Sequence, residues 1–261
     1  MKFLAEKRRF RTRAVILALV WILLLVLSLF LLSALLSVFL HNPQGESISS
    51  LSWAGYIISK AANDKAEVTA IGASWAVPAI NASAGDGYSS VWVGIGGSLD
   101  STLIQAGTEN SATNGQDTYY AWYELLPNFA VILNTMTISP GDVMVASIRL
   151  LDSTTNQWSI QISDTTTGQD FSKTVVYNST RSSGEWILER PTTNNQITPL
   201  ADFGNVKFTN CYLTENNISG SIGKFYYSRL EMVKNNNVQL AAVSNLTDNG
   251  TSFAISYVPK H

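Results

Sequence analysis

The sequence predicts an all-β protein, an antiparallel β-sandwich preceded by one N-terminal transmembrane helix. Three observations carry that prediction: an uncharged apolar run at residues 14–40, two-residue alternation of apolar and polar side chains from Trp53 onward, and turn signals at short intervals with no helical period between them.

The apolar run comes first. Its 27 residues hold no charge and are interrupted only by Ser28, Ser33 and Ser37. At about 1.5 Å per residue such a helix covers roughly 40 Å, more than the ~30 Å hydrocarbon core of a bilayer. A cleavable leader has an apolar region of only about 7 to 15 residues and a small-residue cleavage site, and no such site follows Leu40. Of 17 basic residues, six (Lys2, Lys7, Arg8, Arg9, Arg11 and Arg13) precede the run, which keeps residues 1–13 cytoplasmic as a basic tail and sends everything after the span outward. Residues 41–52, with Pro43, Gly45 and several serines, read as a polar tether, and 53–261 as the folded domain.

Within that domain Trp158, Ile160 and Ile162 alternate with Ser159, Gln161 and Ser163, the pattern of a half-buried strand. Ser139-Pro140-Gly141-Asp142 predicts a turn before a strand at 143–150, and Thr167-Gly168-Gln169 a turn before a strand at 171–177. Asn235-Asn236-Asn237 and Asp248-Asn249-Gly250 punctuate the last strands in the same way. Many short strands so spaced predict a sandwich or barrel with one core.

Composition excludes several classes of function. The part after the span keeps 11 basic residues against 18 acidic ones, since only Glu6 lies before it; an acidic excess of seven is no footprint for nucleic acid. The two histidines, His41 and His261, sit beside the apolar run and at the last position, poorly placed for a Ser/His/Asp or Cys/His site. Cys211 is the only cysteine, so no intrachain disulfide and no Cys/His zinc cluster is expected, and neither a metal nor a cofactor is implied. Acid-base chemistry then falls to carboxyl groups. Low charge density predicts a fold tolerant of acid. Five Asn-x-Ser/Thr triplets, at Asn81, Asn178, Asn217, Asn245 and Asn249, agree with an outside location.

One strand-like segment, Tyr119-Tyr120-Ala121-Trp122-Tyr123-Glu124, puts Tyr120, Trp122 and Glu124 on one face, a composition suited to a groove for an extended ligand. Another, Glu185-Trp186-Ile187-Leu188-Glu189, puts both glutamates on one face about 13 Å apart. A glycoside hydrolase using Glu124 and Glu189, whose class needs carboxyls about 5 to 9.5 Å apart, is one reading, and a non-catalytic lectin-like module is another.

A third reading rests on order along the chain. Trp92-Val93-Gly94-Ile95, Ile104-Gln105-Ala106-Gly107, Ala121-Trp122-Tyr123-Glu124, Thr166-Thr167-Gly168-Gln169 and Glu185-Trp186-Ile187-Leu188-Glu189 follow one another as do the motifs of the glutamic peptidases, the eqolisins of peptidase family G1, which this chain resembles from about Trp53 to Val258. The resemblance implies a jelly-roll or concanavalin-like sandwich and an acid-acting endopeptidase. It implies Gln105 and Glu189 as the catalytic pair, with Trp122, Glu124, Glu109, Tyr120 and Trp92 around a polypeptide substrate. Glu109 replaces a family Asp conservatively, whereas Gly96 and Tyr120 stand where the family carries two further Asp residues.

Overall fold

A computed structural model describes residues 45–59, 67–98, 100–193 and 196–259. All belong to the second of two compact units, Pro43–His261. The predicted span and cytoplasmic tail lie outside the described residues, among which no helix is long and apolar enough to cross a membrane.

The strands among the described residues are β1 (Ser47–Ser50), β2 (Trp53–Ser59), β3 (Val68–Ala76), β4 (Gly87–Gly96), β5 (Leu103–Thr113), β6 (Gln116–Leu125), β7 (Val131–Ile132), β8 (Val143–Asp152), β9 (Gln157–Asp164), β10 (Gln169–Val176), β11 (Ser183–Glu189), β12 (Thr192–Thr193), β13 (Gln196–Ile197), β14 (Asn205–Glu215), β15 (Ile218–Gly220), β16 (Tyr227–Lys234), β17 (Val238–Val243) and β18 (Phe253–Tyr257). Hydrogen bonding runs β10-β9-β8-β3-β14-β18-β17-β16-β2-β11-β4-β5-β6-β7, with β1 added on β16 and β15 on β14. The path folds on itself, so β3, β8 and β9 pack across β4 and β5 as the two layers of a sandwich.

The predicted alternation is present: Trp158, Ile160 and Ile162 of β9 are buried while Gln161 between them is exposed. Both predicted turns precede the expected strands, β8 and β10. Between the layers lie Trp75, Trp158, Trp186, Phe208 and Phe253, all fully buried; large apolar side chains of this kind each stabilise by ~1.5–3 kcal/mol over leaving them in water. The indoles also pin one layer to the other. Trp186 Nε1 of β11 donates to the Gly72 carbonyl of β3 at 3.1 Å, and Trp75 Nε1 of β3 donates to Thr108 Oγ1 of β5 at 3.1 Å, so neither buried N–H is left unpaired.

The tether holds a surprise. Its second half is strand β1, which pairs parallel with β16 from Ser47 opposite Arg229 to Ser50 opposite Met232. Nothing in Ser47-Ile48-Ser49-Ser50 alternates toward a core; neighbouring backbone recruits it. The five asparagines of the Asn-x-Ser/Thr triplets are all exposed.

Candidate active site

Strands β2, β11, β4, β5 and β6 lie side by side, and their side chains sort by parity. Tyr56, Val91, Val93, Ile104, Ala106, Ala121, Tyr123, Trp186 and Leu188 face the sandwich core. The alternate residues form a second, smaller cluster on the other face, with Ile57, Trp92, Leu103, Trp122, Ile187 and Leu230 buried and Trp53 and Tyr120 packed against them. Every predicted site residue is on a strand of this second face.

Strand register arranges these residues in three rows. Glu185, Gly94, Gln105 and Glu124 are successive partners across β11, β4, β5 and β6. Ile187, Trp92, Gly107 and Trp122 form the next row. Trp53, Glu189, Ser90, Glu109 and Tyr120 form the third. Gln105 therefore shares its row with Glu185 rather than Glu189, a relation that sequence spacing does not reveal.

Side chains then bond both along a row and between rows. Gln105 Nε2 donates to Glu124 Oε2 at 2.6 Å, and Trp92 Nε1 donates to Glu189 Oε2 at 2.9 Å. Burial pushes the Glu189 carboxyl up to about 7, against the opposing pull of the Trp53 and Trp92 indoles and with the help of the Glu124 and Glu109 charges. Those two charges act on Glu189 because all three carboxyls face the same cluster. Burial likewise raises Glu124, opposed by hydrogen bonds from Gln105 and the Ala130 backbone. Glu109 is also raised by burial, opposed by the Ser111 and Ser90 hydroxyls, which both donate to it. Tyr120 is raised to about 12 by burial, with the Glu109 charge adding to the effect.

Glu185 differs from its neighbour four residues on. It is completely buried, and burial holds its carboxyl well above the ordinary 4.5, the Ser183 hydroxyl opposing and the Asp100 charge assisting. Glu189 keeps partial exposure, so of the two it alone is open to a ligand.

Four contributors escaped the sequence reading. Trp53 meets Trp92 edge-on with ring centroids 5.1 Å apart and joins it on Glu189. The Ser90 and Ser111 hydroxyls hold Glu109. Tyr177, arriving from beyond β10, accepts from Leu103 N at 2.8 Å and donates to the Leu126 carbonyl at 2.8 Å, supplying a rung between the ends of β5 and β6 just past Gln105 and Glu124. Only knowledge of the register would have exposed them. At Gly96, where the resemblance suggests an Asp, φ is +87° and a Cβ would sit 2.4 Å from the Thr102 carbonyl oxygen, so glycine fits this backbone and a larger residue would strain it. No group of three or more His, Cys, Asp or Glu able to hold a metal occurs among the described residues. Gln105 is hydrogen-bonded directly to Glu124, one of the two carboxyls that the sugar-cleaving alternative would use.

A sandwich that brings a carboxamide and several buried carboxyls to one sheet face fits a glutamic peptidase, and the chain belongs to that family: the Peptidase A4 family matches residues 51–257. Among individual relatives, the chain is 33% identical over 130 residues to aspergillopepsin-2 of Aspergillus niger, covering 48% of this chain and 45% of that protein. It is 31% identical over 179 residues to scytalidopepsin B of Scytalidium lignicola, covering 64% and 65%. The matches thus span about half to two thirds of these curated relatives. Solved structures of scytalido-glutamic peptidase with a transition state analog inhibitor (TM-score 0.67, 26% identity, 80% of this chain and 99% of that one) and of aspergilloglutamic peptidase from Aspergillus niger (TM-score 0.58, 27% identity, 66% and 99%) share the fold. The predicted all-β sandwich and family are therefore correct.

Proposed function

We propose that the protein is a membrane-anchored endopeptidase, held by residues 14–40 with its β-domain outside the cell, that hydrolyses peptide bonds in mildly acidic surroundings through Gln105 and Glu189. The observation that carries this reading is the convergence on one sheet face of the Gln105 carboxamide, hydrogen-bonded to Glu124, with a Glu189 carboxyl that burial raises to about 7. A base poised near neutrality can both take and return a proton within one turnover.

In the proposed reaction, ionised Glu189 removes a proton from a water as its oxygen attacks the scissile carbonyl carbon. A side-chain N–H of Gln105 donates to the developing oxyanion, a contact of a kind worth about 10²–10³ in rate. Glu189 then passes the proton to the leaving nitrogen, and the C–N bond breaks. Half-buried Tyr120 and Glu124 offer aromatic and polar surface to an extended polypeptide, backed by the buried Trp92, Trp122 and Glu109.

The test is cleavage of an unfolded protein by the purified chain across pH 3–8. Glu189→Gln is expected to lower kcat/KM by at least ~10³ and Gln105→Ala by at least ~10², with circular dichroism unchanged. Full activity in either folded variant would remove the assignment.

A further inference from the structure

The carboxamide of Gln105 has two ends of opposite character, and the protein occupies one of them. Nε2 lies on Glu124 Oε2 at 2.6 Å, while Oε1 is buried without a hydrogen-bond partner among the described residues. An unpaired buried carbonyl oxygen is unfavourable, and a carboxamide relieves such imbalance by turning over, exchanging oxygen for nitrogen with almost no change of shape. Whether it turns depends on its partner. An ionised carboxyl only accepts, so it holds the nitrogen; a protonated carboxyl can donate, so it holds the oxygen.

From this geometry we propose that Glu124 is a positioning residue whose proton decides which end of the Gln105 amide is presented to the reacting carbonyl. With Glu124 protonated, its O–H donates to Oε1 and both N–H groups of Nε2 turn to the unpartnered side, as donors for an oxyanion. With Glu124 ionised, Nε2 is held back and a carbonyl oxygen stands on that side, which repels an oxyanion. The competent state thus carries one proton, on Glu124, with Glu189 ionised. Because the two carboxyls act on each other, the two pH limits belong to the pair rather than to either residue. The groups facing Glu124 among the described residues are the Gln105 amide of β5, the Ala130 N–H of the β6–β7 turn, Glu189 of β11 and, through its charge, the Tyr177 phenol. None of them is a cation that would hold Glu124 ionised.

This inference rests on the proposed Gln105/Glu189 chemistry. The experiment is the pH profile of kcat/KM for the whole protein, wild type against Glu124→Gln, whose neutral amide can donate at every pH. Wild type is expected to give a bell. Glu124→Gln is expected to lose the falling alkaline limb, or to move it up by at least about one pH unit, chiefly in kcat rather than KM. Side-chain amide NMR of wild type labelled with 15N-glutamine supplies a readout independent of both turnover and the variant's folding: the Gln105 resonances should change with the same midpoint as the alkaline limb. An unaltered limb in a folded Glu124→Gln, or Gln105 resonances indifferent to pH, overturns the inference alone if Gln105→Ala is inactive. Full activity in Gln105→Ala overturns it together with the reaction it rests on.

Discussion

The carboxyl groups of the β4–β5–β6–β11 face and those of the connecting loops have been driven in opposite directions. On the strand face Glu109, Glu124, Glu185 and Glu189 are all raised, burial being the largest cause in each. By contrast Asp100 and Asp248, in connecting segments, and Asp152, the last residue of β8, are lowered. For Asp100, burial is outweighed by hydrogen bonds from Ser182, Thr180 and Thr102; Asp152 is held by Thr155 and Thr154, and Asp248 by Ser252 and Lys207. One chemical group therefore does two jobs. Ringed by hydroxyls and N–H groups it stays ionised and fixes a turn; set among indoles and aliphatic side chains it keeps a proton available for chemistry.

The two sets respond oppositely to pH. A carboxyl with a folded pKa above its unfolded one contributes full stability below about 4.5, and that contribution is lost as pH rises through the folded value. A lowered one contributes above about 3.9 and is lost as pH falls through its folded value. The strand face is thus built to weaken toward alkali and the loops toward strong acid.

Glu185 offers the largest test of this contrast, because it is the most buried of the set and its burial outweighs the one hydroxyl, that of Ser183, that favours its charge. Glu185→Gln should match wild type near pH 4 and become progressively more stable by comparison as pH rises, by up to about 1.4 kcal/mol per pH unit in urea unfolding. Parallel curves for the two proteins from pH 4 to 8 would break the comparison at its strongest point. An intermediate effect is expected at Trp92, whose indole is one of two that favour the charged form of Glu189. Trp92→Phe should move the acid limb of kcat/KM up by about one pH unit, read from initial rates. The smallest effect belongs to the loops. Asp100→Asn removes an acceptor that takes Thr102 N at 2.8 Å and the hydroxyls of Thr180 and Ser182 at 2.6 Å each. At this half-exposed site it should cost about 1 kcal/mol at pH 7 and progressively less as pH falls through the lowered Asp100 value, by thermal unfolding.

The same contrast explains what the sequence disclosed. Strand character was legible because parity is local: Trp158, Ile160 and Ile162 declare an inward face without reference to any other segment. The candidate residues stood out as an ordered series of motifs, and counting by twos put Tyr120, Trp122 and Glu124 on one face of their strand and Glu185 and Glu189 on one face of theirs. Register was not legible, since it is fixed by partners far away in the chain; thus neither the Glu185–Gly94–Gln105–Glu124 row nor the place of Trp53 beside Glu189 could be read. Strand β1 was hidden for a related reason, being four mostly polar residues that a neighbouring backbone conscripts.

That short strand bears on how the domain can be prepared. Family likeness begins at residue 51, and a truncation guided by it would strip β1 and uncover β16 along Arg229–Met232, leaving idle donors and acceptors that invite a second molecule to zip on. Starting the fragment at Gly45 keeps that flank capped, including the bond from Arg229 N to the Glu46 carbonyl at 3.0 Å.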